Sequence, residues 1–457
     1  MILTIPKQIQ NILAKLQQAG FEAFVVGGCV RDLLLDREPN DWDVTTKAKP
    51  AEIQQVFPKS LYLNDFGTVL VNDIEITTYR SEAKYTDSRH PDEIKFETKL
   101  AKDLERRDFT INAMALADDK LVDLFKGQKD LKNKIIRAVG KADDRFQEDA
   151  LRMLRAIRFA AQLNFQIEAK TYQAIVKNKD LIKKVSQERI RDELIKLVYA
   201  ENALWGFWLL AETGILKIIL PELDLTVGVG QNKHHTYTVW FHLISSLQHC
   251  PSEKLEVRLA SLFHDIAKPQ TKEGEGIDST FYNHEHLGTK MTRQIMQRLK
   301  FSNEQVKYTT HLVKNHMFFY SMGEITDAGV RRLLVRLGKD NWEDFLDLRI
   351  ADRMGSGTQK EKPYKLVELE KRLEQVQKDP IDIRMLKLNG NDLIKLLNIK
   401  PGPRIGTLVN YLLQEVIEDP KNNTREYLAK KARELHEELP PDVRPPQVAG
   451  FVDDLEK

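Results

Sequence analysis

Over residues 1–20, apolar side chains recur at Ile5, Ile9, Ile12, Leu13 and Leu16, the spacing of one face of a helix. The period then changes. FEAFVVGG reads as a strand that ends on two glycines, VRDLLLD as a helix, and DWDVTT as a strand of alternating polarity. FGTVLV and IEITTYR predict further strands of the same small sheet. Residues 81–91, SEAKYTDSRHP, are polar and are expected to form a mobile loop. From about Asp103 the pattern turns helical and stays so, broken at Gly214, Pro221, Gly228, Gly230, Pro269 and Gly274. The closing LPPDVRPPQVAGFVDDLEK is Pro-rich and is expected to be poorly ordered. The chain thus predicts an α+β protein, a small mixed head on a long helical body.

Composition changes this picture little. A chain of 457 residues exceeds one ordinary core, which favours three or so domains. There is no run of about 18 apolar residues, so no membrane span is expected, and the first residues lack a basic-then-apolar signal layout. Cys29 and Cys250 cannot build a disulfide framework and suit a reducing cytosol. A net charge of +2 neither announces nor excludes nucleic-acid binding.

Candidate chemistry concentrates in the head. Asp41 and Asp43 are two apart on an expected strand, so their carboxylates share a face and can hold two Mg²⁺ ions. A solvated strand edge is the alternative. Gly27 and Gly28 lead from strand to helix, where a backbone without Cβ can approach phosphate, and Arg31 adds donors for triphosphate oxygens. Glu75 is either a third metal-site carboxylate or an outward-facing strand residue. Further on, Glu148, Asp149 and Arg152 are expected to open an amphipathic helix. Asp149 and Arg152 are three apart on one face, able to read a base edge or simply to form a salt bridge. Arg155 and Arg158 continue a basic stripe, toward triphosphate or toward solvent.

Two further constellations lie downstream. His242, His264, Asp265, His284, His286, His316 and Asp352 form an ordered set suited to a divalent metal with mixed N and O ligands, although a lone helical histidine is more often packed structure. Lys400 to Gly406, KPGPRIG, joins two helical runs. Lys400, Arg404 and adjacent backbone N–H groups could meet phosphate there, or the segment is a plain connector.

GGCVRDLLL, NDWDVTT, ERRDFTINAMAL, DLFKGQKDLKNKIIRAVG and RFQEDALRMLRAIRFAAQL occur in that order. Together they resemble the bacterial class II tRNA nucleotidyltransferases and their poly(A) polymerase relatives, within the polymerase-β-like superfamily. The resemblance implies that Asp41 and Asp43 bind the catalytic metals and that Gly27, Gly28 and Arg31 hold the triphosphate. It implies that Arg107, Asp108 and Asn112 contact the ribose and brace the site, and that Asp149 and Arg152 choose CTP and ATP. The segment from Tyr85 to Leu104 is similar to the loop of CCA-adding and A-adding members, with Arg89 and Asp103 as lever residues. The histidine order resembles the HD phosphohydrolase domain, which implies His242, His264, Asp265 and Asp352 as primary ligands and His284 and His316 as supports for a second ion, with a divalent transition metal.

The expected organisation is a polymerase-β-like nucleotidyltransferase head over residues 1–140 and a helical neck over 141–225. An HD domain over 226–360, a helical tRNA-binding body over 361–435 and a disordered tail over 436–457 follow. The expected activity is addition of CCA to tRNA from CTP and ATP in the cytoplasm, ahead of A-only addition or poly(A) synthesis. An HD phosphohydrolase acting on RNA ends or nucleotides is the rival from another class.

Overall fold

The computed structural model describes residues 4–64, 67–83, 93–118, 120–231, 237–318, 325–358, 363–440 and 443. Arg89, most of the expected loop and most of the proline-rich C-terminal stretch lie outside them. The chain divides into two compact units. One comprises Met1–Leu225 with Arg298–Phe301, the other Thr226–Gln297 with Ser302–Lys457.

The first unit is built on a seven-stranded sheet. Its strands are β1 (Ala23–Val26), β2 (Asp43–Thr46), β3 (Leu61–Asn64), β4 (Thr68–Val71), β5 (Ile74–Thr78), β8 (Met114–Ala117) and β9 (Lys120–Asp123), in the order β3-β4-β5-β2-β1-β8-β9. Within this sheet only the β2–β5 pair is parallel; it sets Asp43 opposite Glu75. A separate hairpin pairs β6 (Arg80–Ala83) with β7 (Glu93–Phe96), so the start of the expected loop is a strand. The helix Lys7–Gln18 buries Ile9, Ile12, Leu13 and Leu16, the apolar stripe of the sequence.

Two sequence expectations need correction. The helical pattern does not begin at Asp103: after the short helix Leu100–Glu105 come a 3₁₀ turn at Thr110–Asn112 and strands β8 and β9. Met114–Ala117 is buried at every position, so it lacks the alternation that betrays a strand, and Met, Ala and Leu favour helix when context does not decide. Glu148 and Asp149 also do not open a helix. Glu148 ends the helix Ala142–Glu148, Asp149 is extended (φ −144°, ψ 105°), and the next helix is Leu151–Leu163.

The second unit is helical. The helices Val239–Gln248, Leu255–Phe263 and Trp342–Gly355 pack together, and at Gly355 an added Cβ would lie 2.0 Å from Ser246 Oγ and 2.9 Å from the His242 carbonyl oxygen. Nearer the C-terminus, Gly390–Leu397, Pro403–Glu418 and Arg425–Glu438 close over Leu393, Leu408, Leu412, Val416 and Leu428. No helix among the described residues is long and apolar enough to cross a membrane.

Candidate active site and metal centre

The strand-to-helix turn after β1 is set by Gly27, whose φ of 86° and ψ of −131° suit a residue without Cβ. A Cβ there would stand 2.8 Å from an Arg107 guanidinium nitrogen and 3.8 Å from Asp43 Oδ2. Asp43 starts β2, half-buried, and Glu75 is its register partner on β5. Burial pushes Asp43 above the usual carboxylate range and the charge of Asp41 adds to this, while Arg107 works against it. Glu75 is exposed on its strand; partial desolvation, then Asp43, then Asp41 push it up. Asp43 and Glu75, both held above the usual range beside the charge of Asp41, with one guanidinium opposing at Asp43, are a donor set short of positive charge, which hard divalent cations supply. Their oxygens are more open than the histidine cluster described below: among the described residues, three-ligand groups with all atoms within 4.8 Å occur only in the second unit.

Beside the carboxylates runs a continuous polar chain. Arg31 grips Asp32 through two hydrogen bonds, at 2.8 and 2.9 Å, and donates to Asn112 Oδ1 at 2.9 Å. Asn112 donates to Asp108 Oδ1 at 3.2 Å, and Arg155 donates twice to Asp108 Oδ2, at 2.8 and 2.6 Å. Burial alone would raise the Asp108 pKa, but the Arg155 charge and hydrogen bonds outweigh it and hold the carboxyl at about 2. Arg31, Arg155 and Arg158 surround the ring of Phe159, at 5.1, 5.4 and 4.0 Å. Phe159 lay unnoticed in the sequence, where it reads as one more apolar position of the helix Leu151–Leu163. Arg158 does not continue an open basic stripe. It is buried, donating to Glu193 at 2.6 Å and Gln162 at 2.7 Å.

Asp103, also buried, accepts from Arg106 at 2.8 and 3.0 Å, from Arg107 at 3.4 Å and from Thr45 on β2 at 3.3 Å. It therefore ties Arg107 to the strand that carries Asp43. Asp149 and Arg152 are linked through the backbone, the Arg152 N–H donating to the Asp149 carbonyl at 3.0 Å, but their side chains bond other partners. Asp149 takes two hydrogen bonds from Arg189, and Arg152 donates to Glu148 at 2.5 Å and to the carbonyls of Arg145 and Arg106. Sequence reasoning missed Arg189 because its partner lies 40 residues away.

In the second unit the expected histidines and aspartates converge. The Nε2 atoms of His242 and His264 are 3.0 Å apart, and His242 Nε2 is 3.3 Å from Asp265 Oδ2 and 3.4 Å from Asp352 Oδ1. His284 and His316 stand 3.1 and 3.6 Å from the other oxygen, Asp265 Oδ1, and 3.3 Å from each other. Asp265 thus belongs to both three-residue clusters that could hold an ion. Three of the rings are turned inward by their far nitrogens. Nδ1 of His264, His284 and His316 faces the carbonyls of Ser261, Phe281 and Val313, at 3.0, 2.7 and 2.7 Å. Burial works against charge on His242, but Asp265 and Asp352 hold it up at about 9, while burial drives His264 down to about 3. Lys268 caps Asp265 Oδ2 at 2.6 Å. His286 is exposed beside Glu285, outside the cluster.

Arg404 does not stand open at the KPGPRIG turn. It donates to the carbonyls of His436 and Leu439, at 3.0 and 2.7 Å, and to that of Pro440, capping the end of the helix Arg425–Glu438. Lys400 is exposed at the turn.

The chain matches three family models: the poly A polymerase head domain over residues 23–137, the probable RNA and SrmB-binding site of polymerase A over 164–226, and a putative tRNA nucleotidyltransferase domain 2 over 279–432. It is 44% identical over 264 residues to the CCA-adding enzyme of Lactobacillus delbrueckii subsp. bulgaricus, covering 54% of this chain and just under two thirds (65%) of that protein. The crystal structure of the Bacillus stearothermophilus CCA-adding enzyme in complex with CTP matches with a TM-score of 0.74 at 27% identity, covering 95% of this chain and 98% of that one. The CCA-adding enzyme of Ligilactobacillus salivarius is 34% identical over 447 residues, 94% of this chain and 97% of that one. A match of that length, over a head that gathers Gly27, Asp43, Glu75 and Arg107, places the chain in the CCA-adding enzyme family.

Proposed function

We propose that this chain adds C, C and A to the 3′ end of tRNA, taking CTP and ATP and releasing pyrophosphate. The observation that carries this reading is the pairing of Asp43 with Glu75 beside Asp41, against the Gly27 turn and Arg107. Asp41 and Asp43 would hold Mg²⁺, with Glu75 as their support. When bound, the ions neutralise charge at the reacting phosphate and lower the pKa of the tRNA 3′-hydroxyl. The chain's own part is positioning. The Gly27 turn lets backbone come close to the triphosphate, and Arg31 and Arg155, fixed by Asn112 and Asp108, present positive charge to it. Asn112 and Asp108 brace the ribose side. Asp149 and Arg152 are the base-selecting pair in this reading, so Arg152 must exchange a backbone carbonyl for the base. The α-phosphate is thereby held in line with the tRNA hydroxyl. The expected compartment is the cytoplasm, where both cysteines stay reduced. Asp41→Asn and Asp43→Asn should each cut single-turnover C addition by about 10²–10³-fold or more, with tRNA affinity unchanged; full activity in either variant would overturn the assignment.

The second unit favours an additional reading. The inward-turned histidines around Asp265 fit two divalent transition-metal ions. They support an HD-type phosphohydrolase activity on phosphate esters at RNA ends or on nucleotides. Metal analysis of the purified chain should find such an ion, lost in His264→Ala; metal-free protein would refute the ligand set. Metal without hydrolysis of a phosphomonoester or a 2′,3′-cyclic phosphate would refute the activity.

A further inference from the structure

Asp149 occupies the joint between two helices, in extended backbone, so helix geometry does not aim its side chain. Three hydrogen bonds do. Oδ1 accepts from the Leu151 N–H at 3.0 Å and from Arg189 at 3.2 Å, and Oδ2 accepts from a second Arg189 nitrogen at 2.8 Å. Both side chains are mostly covered, 17% exposed for Asp149 and 24% for Arg189. Arg189 stands in the first turn of the helix Gln187–Val198, whose buried face includes Ile190, Glu193, Leu194 and Leu197. A rigid fork on a packed helix therefore fixes the plane of the Asp149 carboxylate and leaves its remaining lone pairs pointing away from the fork.

That constraint suits discrimination between bases. A carboxylate only accepts hydrogen bonds. Cytosine and adenine offer an exocyclic amine donor where uracil and guanine offer a carbonyl acceptor. A carboxylate free to turn could evade the clash with a carbonyl or recruit water between; one clamped in plane cannot. We propose that Arg189 is a positioning residue for nucleotide selection, acting through Asp149 and never touching the base. The proposal rests on the reading that Asp149 meets the incoming base.

The test uses the full-length chain and a tRNA transcript ending before CCA. Single-turnover addition is measured with CTP and with UTP for the parent, Arg189→Ala, Arg189→Lys, Asp149→Ala and the double alanine variant. Arg189→Ala should raise the KM for CTP and lower the CTP:UTP preference by about tenfold or more, the worth of one lost charge-assisted hydrogen bond. tRNA affinity should not move. Arg189→Lys keeps the charge without the fork and should recover part of the KM but little of the preference; it carries the test alone if the alanine variant melts early. The double variant should be no worse than Asp149→Ala. A preference within twofold of the parent in both Arg189 variants, with Asp149→Ala impaired, would reduce Arg189 to a surface ion pair. A preserved preference in Asp149→Ala would instead defeat the base-selection reading beneath it.

Discussion

Gly27→Ala is a single-methyl perturbation whose consequences can be worked through. The backbone there has a φ of 86° and a ψ of −131°, outside the regions open to residues with a Cβ, so the substitution costs on the order of 1–3 kcal/mol in strain. The new methyl would also sit 2.8 Å from an Arg107 nitrogen. That guanidinium is the far end of a flexible side chain, so it yields rather than the sheet. It can only move away from Gly27, and its hold on Asp103 is already long, at 3.4 Å. Asp43 then loses part of the positive charge that offsets Asp41, and the turn loses its open approach to phosphate. The strain predicts a melting temperature lower by a few degrees for a unit of this size. Displacement of about 1 Å at a positioning group predicts C addition slower by about 10- to 100-fold. Differential scanning fluorimetry and single-turnover incorporation measure the two effects separately. Lowered melting with incorporation within twofold of the parent would refute the claim that the Gly27 turn and Arg107 serve the triphosphate.

Further outcomes follow from the buried charges. Asp108 has a folded pKa of about 2 against an ordinary 3.8, so it stabilises the fold above pH 4, by about 2 kcal/mol, and that contribution is lost as pH falls from about 4 through 2. Arg155→Met should lower stability at pH 7 and flatten this acid limb in urea unfolding; an unchanged acid limb would contradict the pairing. In the second unit, an ion must displace the proton that His242 holds with a pKa of about 9, so below pH 9 affinity should fall about tenfold per pH unit. Metal titrations at pH 6.5 and 8 should differ accordingly, and equal affinities would count against His242 as a ligand. Gly355→Ala puts a methyl against Ser246 and the His242 carbonyl, so the purified chain should lose its metal while still extending tRNA; retained metal would show that the approach of these two helices does not set the site.

Much of the active head was legible because its chemistry is local. The two glycines before Arg31 mark the turn as expected, and Asp43 opens β2, but Asp41 lies in the bend just before that strand rather than on it. Glu75 was ambiguous from its own strand and is placed by a parallel pairing that no local period encodes. β8 was misread because a fully buried four-residue strand of Met, Ala and Leu carries a helical vocabulary. The partners of the arginines were illegible for a different reason. Arg155 with Asp108, Arg158 with Glu193 and Arg189 with Asp149 join residues 35–47 apart, and each arginine alone reads as a solvated charge. Arg404 misled likewise, since its carbonyl acceptors belong to another helix. The histidine set was visible as an order of residue types, while the sharing of Asp265 between two clusters needed coordinates.

The most direct test of the central claim is 3′-end extension of three tRNA transcripts, ending before CCA, after C and after CC, with CTP, with ATP and with both. Growth of the shortest transcript to CCA with both nucleotides, stopping there, is the predicted result. Addition of a single A to the CC transcript alone, long A tails, or no extension with Mg²⁺ present would contradict it.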